Sequence, residues 1–307
     1  MTKLQSVIPE YLSYCKNQKR LDPKTVKAYR IDLSQFIQYC SNDFLSYTNI
    51  AVMEEFISNL HQTYKPKTVR RKIATIKAYF HYLEYKDYID INPFNKLQIN
   101  FREPNILPKT IPMHVIETLL KSLYYQQKQE RTESKKRYIT RDIAVIELLF
   151  STGIRISELC SLKISDVDII EKTILIYGKG SKERRLQIGN SDVLNALIIY
   201  QDTFKNELEN SDYFFINRYS NRLSEQSIRN MIVKYSKHAS IKLHITPHMF
   251  RHSFATYLLE EDVDIRYIQE MLGHSSIHIT EIYTHVTMAK QKDILTTKHP
   301  RNHLIIR

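Results

Sequence analysis

Apolar residues recur along most of the chain at three- and four-residue intervals, the period that lines one face of an α-helix. Four helical segments are predicted in the first 92 residues. In "DPKTVKAYRIDLSQFIQYC", Asp22 is placed to cap and Pro23 suits the first turn, while Val26, Tyr29, Leu33, Phe36 and Ile37 share a face. In "KPKTVRRKIATIKAYFHYLEYK" the repeat is Val69, Ile73, Ile76, Phe80 and Leu83. Pro93, Pro104, Pro108 and Pro112 then follow without a helical repeat. This divides the chain into a helical unit over 1–92, an extended linker over 93–111 and a second unit over 112–307. The polar run 126–137 reads as a surface loop between two apolar helices.

One stretch switches period. "KTILIYGKGSKERRLQIG" holds two alternating runs, Thr173 to Tyr177 and Arg184 to Ile188, joined by residues 178–182. The pattern predicts a β-hairpin presenting lysines at its tip or rim. The fold class expected is therefore mainly α with a small antiparallel β-sheet.

The remaining signals are helix boundaries. Gly153 suits the end of one helix, and Arg155 stands at the start of the next, off the stripe of Ile156, Leu159 and Leu162. Glu158 lies three residues on, within reach to brace Arg155. Thr246 and Pro247 open a helix whose apolar stripe is Phe250, Phe254 and Leu258. His248, Arg251, His252 and Ala255 fall on another face. A helix with Ile265, Ile268 and Leu272 stops at Gly273, leaving His274 just beyond, and a short helix from about Ser275 or Ser276 carries Tyr283.

The chain has 307 residues, of which 42% are hydrophobic, enough for two cores. Lysine and arginine total 45 against 33 for aspartate and glutamate, a formal charge of +12 spread along the chain. Such a surplus points to a polyanion, most simply nucleic acid, although basic charge also serves solubility. Lys67, Arg70, Arg71 and Lys72 crowd one helix start, where the dipole disfavours positive charge; a docked phosphate backbone would reverse that penalty. Cys15, Cys40 and Cys160 form no CxxC pair and no disulfide framework, as in a reducing compartment. No apolar run reaches membrane-spanning length and the start lacks a signal-peptide pattern, so a cytoplasmic protein is expected. His248 and His252 have the i, i+4 spacing of zinc ligands, but Arg251 would place a cation beside the metal, so no metal is expected.

Taken in order, Arg155, Lys179 on the hairpin, His248-x-x-Arg251, and His274 nine positions before Tyr283 resemble the tyrosine recombinase (phage integrase) family. The motifs are "TGIRISEL", "GKGSKER", "HMFRHSFAT" and "LGHSSIHITEIYTH"; "KHPRNHL" is similar to Xer-type recombinases in particular. Phe250 stands where the family favours leucine. The resemblance implies a two-domain, C-shaped clamp: a helical, SAM-like core-binding domain and a catalytic domain ending in a tail that docks on a neighbouring protomer. It implies a tetramer on double-stranded DNA with a specific core site, either of one chain or with a second recombinase, and needs neither metal nor other cofactor.

By the same resemblance, Tyr283 is the nucleophile that forms a 3′-phosphotyrosine. Arg155 and Arg251 would clamp the non-bridging oxygens, His248 would accept the tyrosine proton and His274 would donate to the phosphate. Lys179 would protonate the leaving 5′ oxygen, with Lys182 the alternative acid. The implied outcome is integration or excision of a mobile element, or Xer-like dimer resolution. A non-catalytic helical DNA-binding regulator and a type IB topoisomerase that religates without exchange are the rival readings.

Overall fold

Helix boundaries fall where short polar side chains or left-handed glycines interrupt the apolar repeat. In the computed structural model, residues 4–40, 49–97, 99, 109–178, 183–261, 263–273 and 288–306 are described. The chain separates into two compact units, Met1–Ile106 and Leu107–Arg307.

The first unit holds α1 (Leu4–Asn17), α2 (Pro23–Tyr39), α3 (Ile50–Thr63) and α4 (Pro66–Tyr85) among its described residues. Asp22 caps α2 by accepting the Lys24 amide at 2.8 Å, and Asn49 caps α3 by accepting the Ala51 amide at 2.9 Å. The apolar faces predicted for α2 and α4 are buried except for the half-buried Tyr29, and Phe36 packs edge-on against Phe56 and Phe80. Pro93–Asn95 forms a 3-10 turn that buries Phe94 in this core, so the expected linker contributes its first residues to the helical unit.

The second unit runs α5 (Met113–Gln129), α6 (Glu133–Thr152), α7 (Ile156–Ser161), β1 (Val167–Asp168), β2 (Thr173–Tyr177), β3 (Glu183–Gln187), α8 (Ser191–Thr203), α9 (Lys205–Leu208), α10 (Glu225–His238), α11 (Pro247–Glu260), α12 (Ile265–Leu272) and α13 (Met288–Thr297). The polar run 126–137 is a loop only over residues 130–132. Residues through 129 continue α5 and those from 133 open α6, because Gln, Lys, Glu and Arg are strong helix formers on exposed faces. The hairpin pairs β2 with β3 antiparallel, Ile174 opposite Leu186, and β1 adds a third strand beside β2. From Ile143 to Thr152 every residue of α6 is buried, making it the spine against which α5, α8 and α11 pack.

The last described residues close the same core. Arg301 lies buried against Glu147 of α6, its Nε and Nη2 donating at 2.8 and 3.0 Å, and Tyr124 of α5 donates to the same carboxylate at 3.0 Å. Leu304 and Ile306 are buried in that core too. Removing Arg301 would leave the Glu147 carboxylate without its ionic partner out of water, which costs about 3–5 kcal/mol.

His299 is buried between the rings of Phe150 and Phe254, and its Nδ1 accepts the Arg301 amide at 2.9 Å. Burial pushes its pKa down from the ordinary 6.5 to about 3, so the native imidazole is neutral. The unfolded chain takes up that proton near the ordinary value. The stabilising contribution is therefore present above about pH 6.5 and lost progressively toward pH 3, by at most about 1.4 kcal/mol per pH unit. Urea midpoints are expected to fall more steeply between about pH 7 and pH 5 in the unaltered protein than in His299→Gln. Parallel slopes would mean that another group governs acid sensitivity.

Candidate active site

Two helix ends and one helix start build the site. α6 ends at Gly153, whose φ of +60° is left-handed, and α12 ends at Gly273 with a φ of +64°. A Cβ on Gly153 would lie 2.7 Å from Phe254 Cδ1, so glycine serves here both the turn and the close approach of α11. These ends offer carbonyls that no helix bond consumes. Arg251 uses them: Nη1 donates to Gly153 O at 2.9 Å and Nη2 to Leu272 O at 2.6 Å.

Arg155 occupies the N-cap of α7. Glu158 Oε2 accepts its amide at 2.8 Å and Glu158 Oε1 accepts from its Nη1 at 2.7 Å, which is the bracing expected from the spacing. Arg155 Nη2 also reaches Gly273 O at 3.4 Å. One third of the Arg155 side chain is exposed, whereas the Glu158 side chain is 5% exposed. Burial works against the Glu158 charge, yet its bonds to Arg184 and Arg155 hold the carboxyl below its ordinary pKa.

Arg184 on β3 is central to the site. Its Nη2 and Nη1 donate to Glu158 at 2.8 and 3.2 Å, and its Nε donates to Met271 O at 2.7 Å. Its only sequence-level mark is a charged residue inside an alternating strand. Two guanidiniums thus bond to one carboxylate, and with the Arg251 charge felt nearby the site carries a surplus of positive charge. Burial, then the charges of Arg155 and Arg184, lowers the pKa of Arg251 to about 10. Such a group gains from an arriving anion.

His248 lies exposed in the first turn of α11, one turn before Arg251. Thr246 holds the N-cap position, but its side chain makes no capping bond there. His252, part buried, has its pKa lowered by burial, then by His248 and Arg251. Among the described residues, no group of three or more His, Cys, Asp or Glu side chains could hold a metal ion. Lys179, Lys182, His274 and Tyr283, named from sequence, lie outside the described residues.

The four basic residues at the start of α4 divide. Lys67, Arg70 and Arg71 are exposed, and Arg71 also pairs with the buried Asp32. Lys72 corrects the expectation of a phosphate contact. It is 3% exposed, with its ammonium 3.1 Å from Asp32 Oδ1, bonded to Gln35 and lying 4.7 Å over the Tyr64 ring. Its charge is spent inside the helical unit.

Comparison with known proteins identifies the family. Residues 112–290 match the phage integrase family and residues 8–86 the phage integrase N-terminal SAM-like domain. A tyrosine recombinase of Agathobacter rectalis is 62% identical, covering 98% of both chains. The tyrosine recombinase XerC of Oceanobacillus iheyensis is 34% identical over the same shares. The XerH site-specific recombinase, solved bound to palindromic difH substrate as a post-cleavage complex, has the same fold. Its TM-score is 0.70 at 22% identity, covering 94% of this chain and 80% of that one. The chain belongs to the phage integrase family and is a Xer-type tyrosine recombinase, an enzyme of site-specific recombination.

Proposed function

We propose that Tyr283 attacks the scissile phosphate of a specific core site in double-stranded DNA. The phenol oxygen bonds to phosphorus as the 5′ oxygen leaves, yielding a 3′-phosphotyrosine and a 5′-hydroxyl. His248 takes the phenol proton, and Lys179, rather than Lys182, supplies a proton to the leaving oxygen. The 5′-hydroxyl of a partner strand then attacks the phosphotyrosine, so the bond energy is conserved and no cofactor is consumed. Four copies on two duplexes would carry out the exchange, and the reaction would belong to a cytoplasmic pool. Among the described residues no helix is long and apolar enough to cross a membrane.

The observation that supports this reading best is the pair of helix-end carbonyls on Arg251. Two of its five N–H bonds are spent on Gly153 and Leu272, which fixes the guanidinium plane and leaves three for an anion. Beside it Arg155, likewise held, completes a fork suited to two non-bridging oxygens. His274, following Gly273, would donate to the same phosphate. Lys67, Arg70 and Arg71 suit the phosphate backbone, and Lys72 does not.

The test is covalent trapping. The full chain is incubated without metal with a pool of nicked duplexes, drawn from DNA flanking its gene and from chromosomal dimer-resolution-like sites. A denaturation-resistant adduct is expected, and proteolysis should leave the nucleotide on the peptide containing residue 283. Sequence-specific binding without an adduct on any duplex would defeat the proposal.

A further inference from the structure

Arg184 is the meeting point of three segments that are remote in sequence. It is the second residue of β3, paired opposite Ile176, and so belongs to the hairpin that bears Lys179. Its fork closes on Glu158 of α7, and its Nε closes on Met271 O in the last turn of α12. The approach to α12 is tight: a Cβ on Gly273 would lie 3.0 Å from Arg184 Nη1. The same Glu158 carboxylate holds Arg155 by both its amide and its Nη1. Glu158 therefore has a guanidinium on either side, and the rotamer of one constrains the other.

We propose that Arg184 is a positioning residue for strand cleavage, acting through Glu158 to set the height and plane of the Arg155 guanidinium. The proposal rests on the reading of Arg155 as a phosphate clamp. Arg184 does not touch the phosphate itself: its side chain is 10% exposed, and all three of its nitrogens donate to protein acceptors. Lysine cannot take its place. An ammonium is a point donor and cannot span a carboxylate and the Met271 carbonyl in one plane. With Arg184 gone, Glu158 is free to turn toward Arg155 alone, and that guanidinium is drawn back from the anion it should meet.

A double-mutant cycle on the nicked duplex recovered by covalent trapping tests this. The first-order rate of adduct formation at saturating protein is measured for the full chain, Arg184→Lys, Arg155→Lys and the double variant, with DNA affinity and thermal melting recorded for each. Arg184→Lys is expected to slow cleavage about 100-fold while DNA affinity stays within about twofold. If Arg184 acts through Arg155, the double variant should be no more than about threefold slower than Arg155→Lys alone. A double loss equal to the product of the single losses overturns the proposal, as does an Arg184→Lys rate within about threefold of the full chain. An unaltered rate in Arg155→Lys would instead remove the clamp reading beneath it. Should Arg184→Lys fail to melt cooperatively, Glu158→Gln replaces it in the cycle. That variant breaks the same ionic link from the other side, and the same non-additivity with Arg155→Lys is required of it.

Discussion

A chain carrying Tyr283→Phe binds the trapped duplex within about twofold of the unaltered protein and forms no covalent adduct, a loss of at least ~10⁴-fold in cleavage. Phenylalanine keeps the ring and removes the single atom that would bond to phosphorus. Two other phenols of the catalytic unit are already engaged in its core. Tyr200 donates its hydroxyl to Phe214 O at 2.7 Å and Tyr235 donates to Asp142 at 2.9 Å. Burial pushes both phenols up, away from the ionisation that nucleophilic attack requires. Gel electrophoresis after denaturation provides the check, since any residual adduct would place the nucleophile elsewhere.

Arg251→Lys is expected to slow adduct formation about 10²–10³-fold at saturating DNA. The guanidinium is oriented by two carbonyls from different helices, and a lysine ammonium can satisfy one of them while losing the planar fork toward the phosphate. The orphaned carbonyl at the end of α6 or α12 adds a modest loss of stability, about 1–3 kcal/mol. Rate and melting temperature together separate the two effects. A slow but stably folded variant supports a direct role in the reaction, whereas a normal rate per folded molecule would reduce Arg251 to a brace.

Much of this architecture was legible because it is local. Asp22 with Pro23, Gly153 and Gly273 mark helix ends through backbone conformation, and the alternating runs around 178–182 mark the hairpin through period. Arg155 and Glu158 are three residues apart, so their contact follows from helical spacing. What escaped depends on distant partners. Lys72 looks like surface charge until Asp32, 40 residues away, is folded against it. Arg184 meets Glu158 and Met271 across 26 and 87 residues. The polar stretch 126–137 misled in another way, since hydrophilicity alone does not separate a loop from the exposed face of a helix. β1, two residues long, is too short for any period to register.

The pairing of Arg301 with Glu147 spans 154 residues. During synthesis, α6 emerges from the ribosome long before its ionic partner exists, and Glu147 must wait in a partly formed core. The catalytic unit therefore completes its packing only once the segment that holds Arg301, Leu304 and Ile306 has been made. A prematurely terminated product lacks that step. For an enzyme of site-specific recombination, this ordering ties the finished catalytic core to the arrival of its last-made segment.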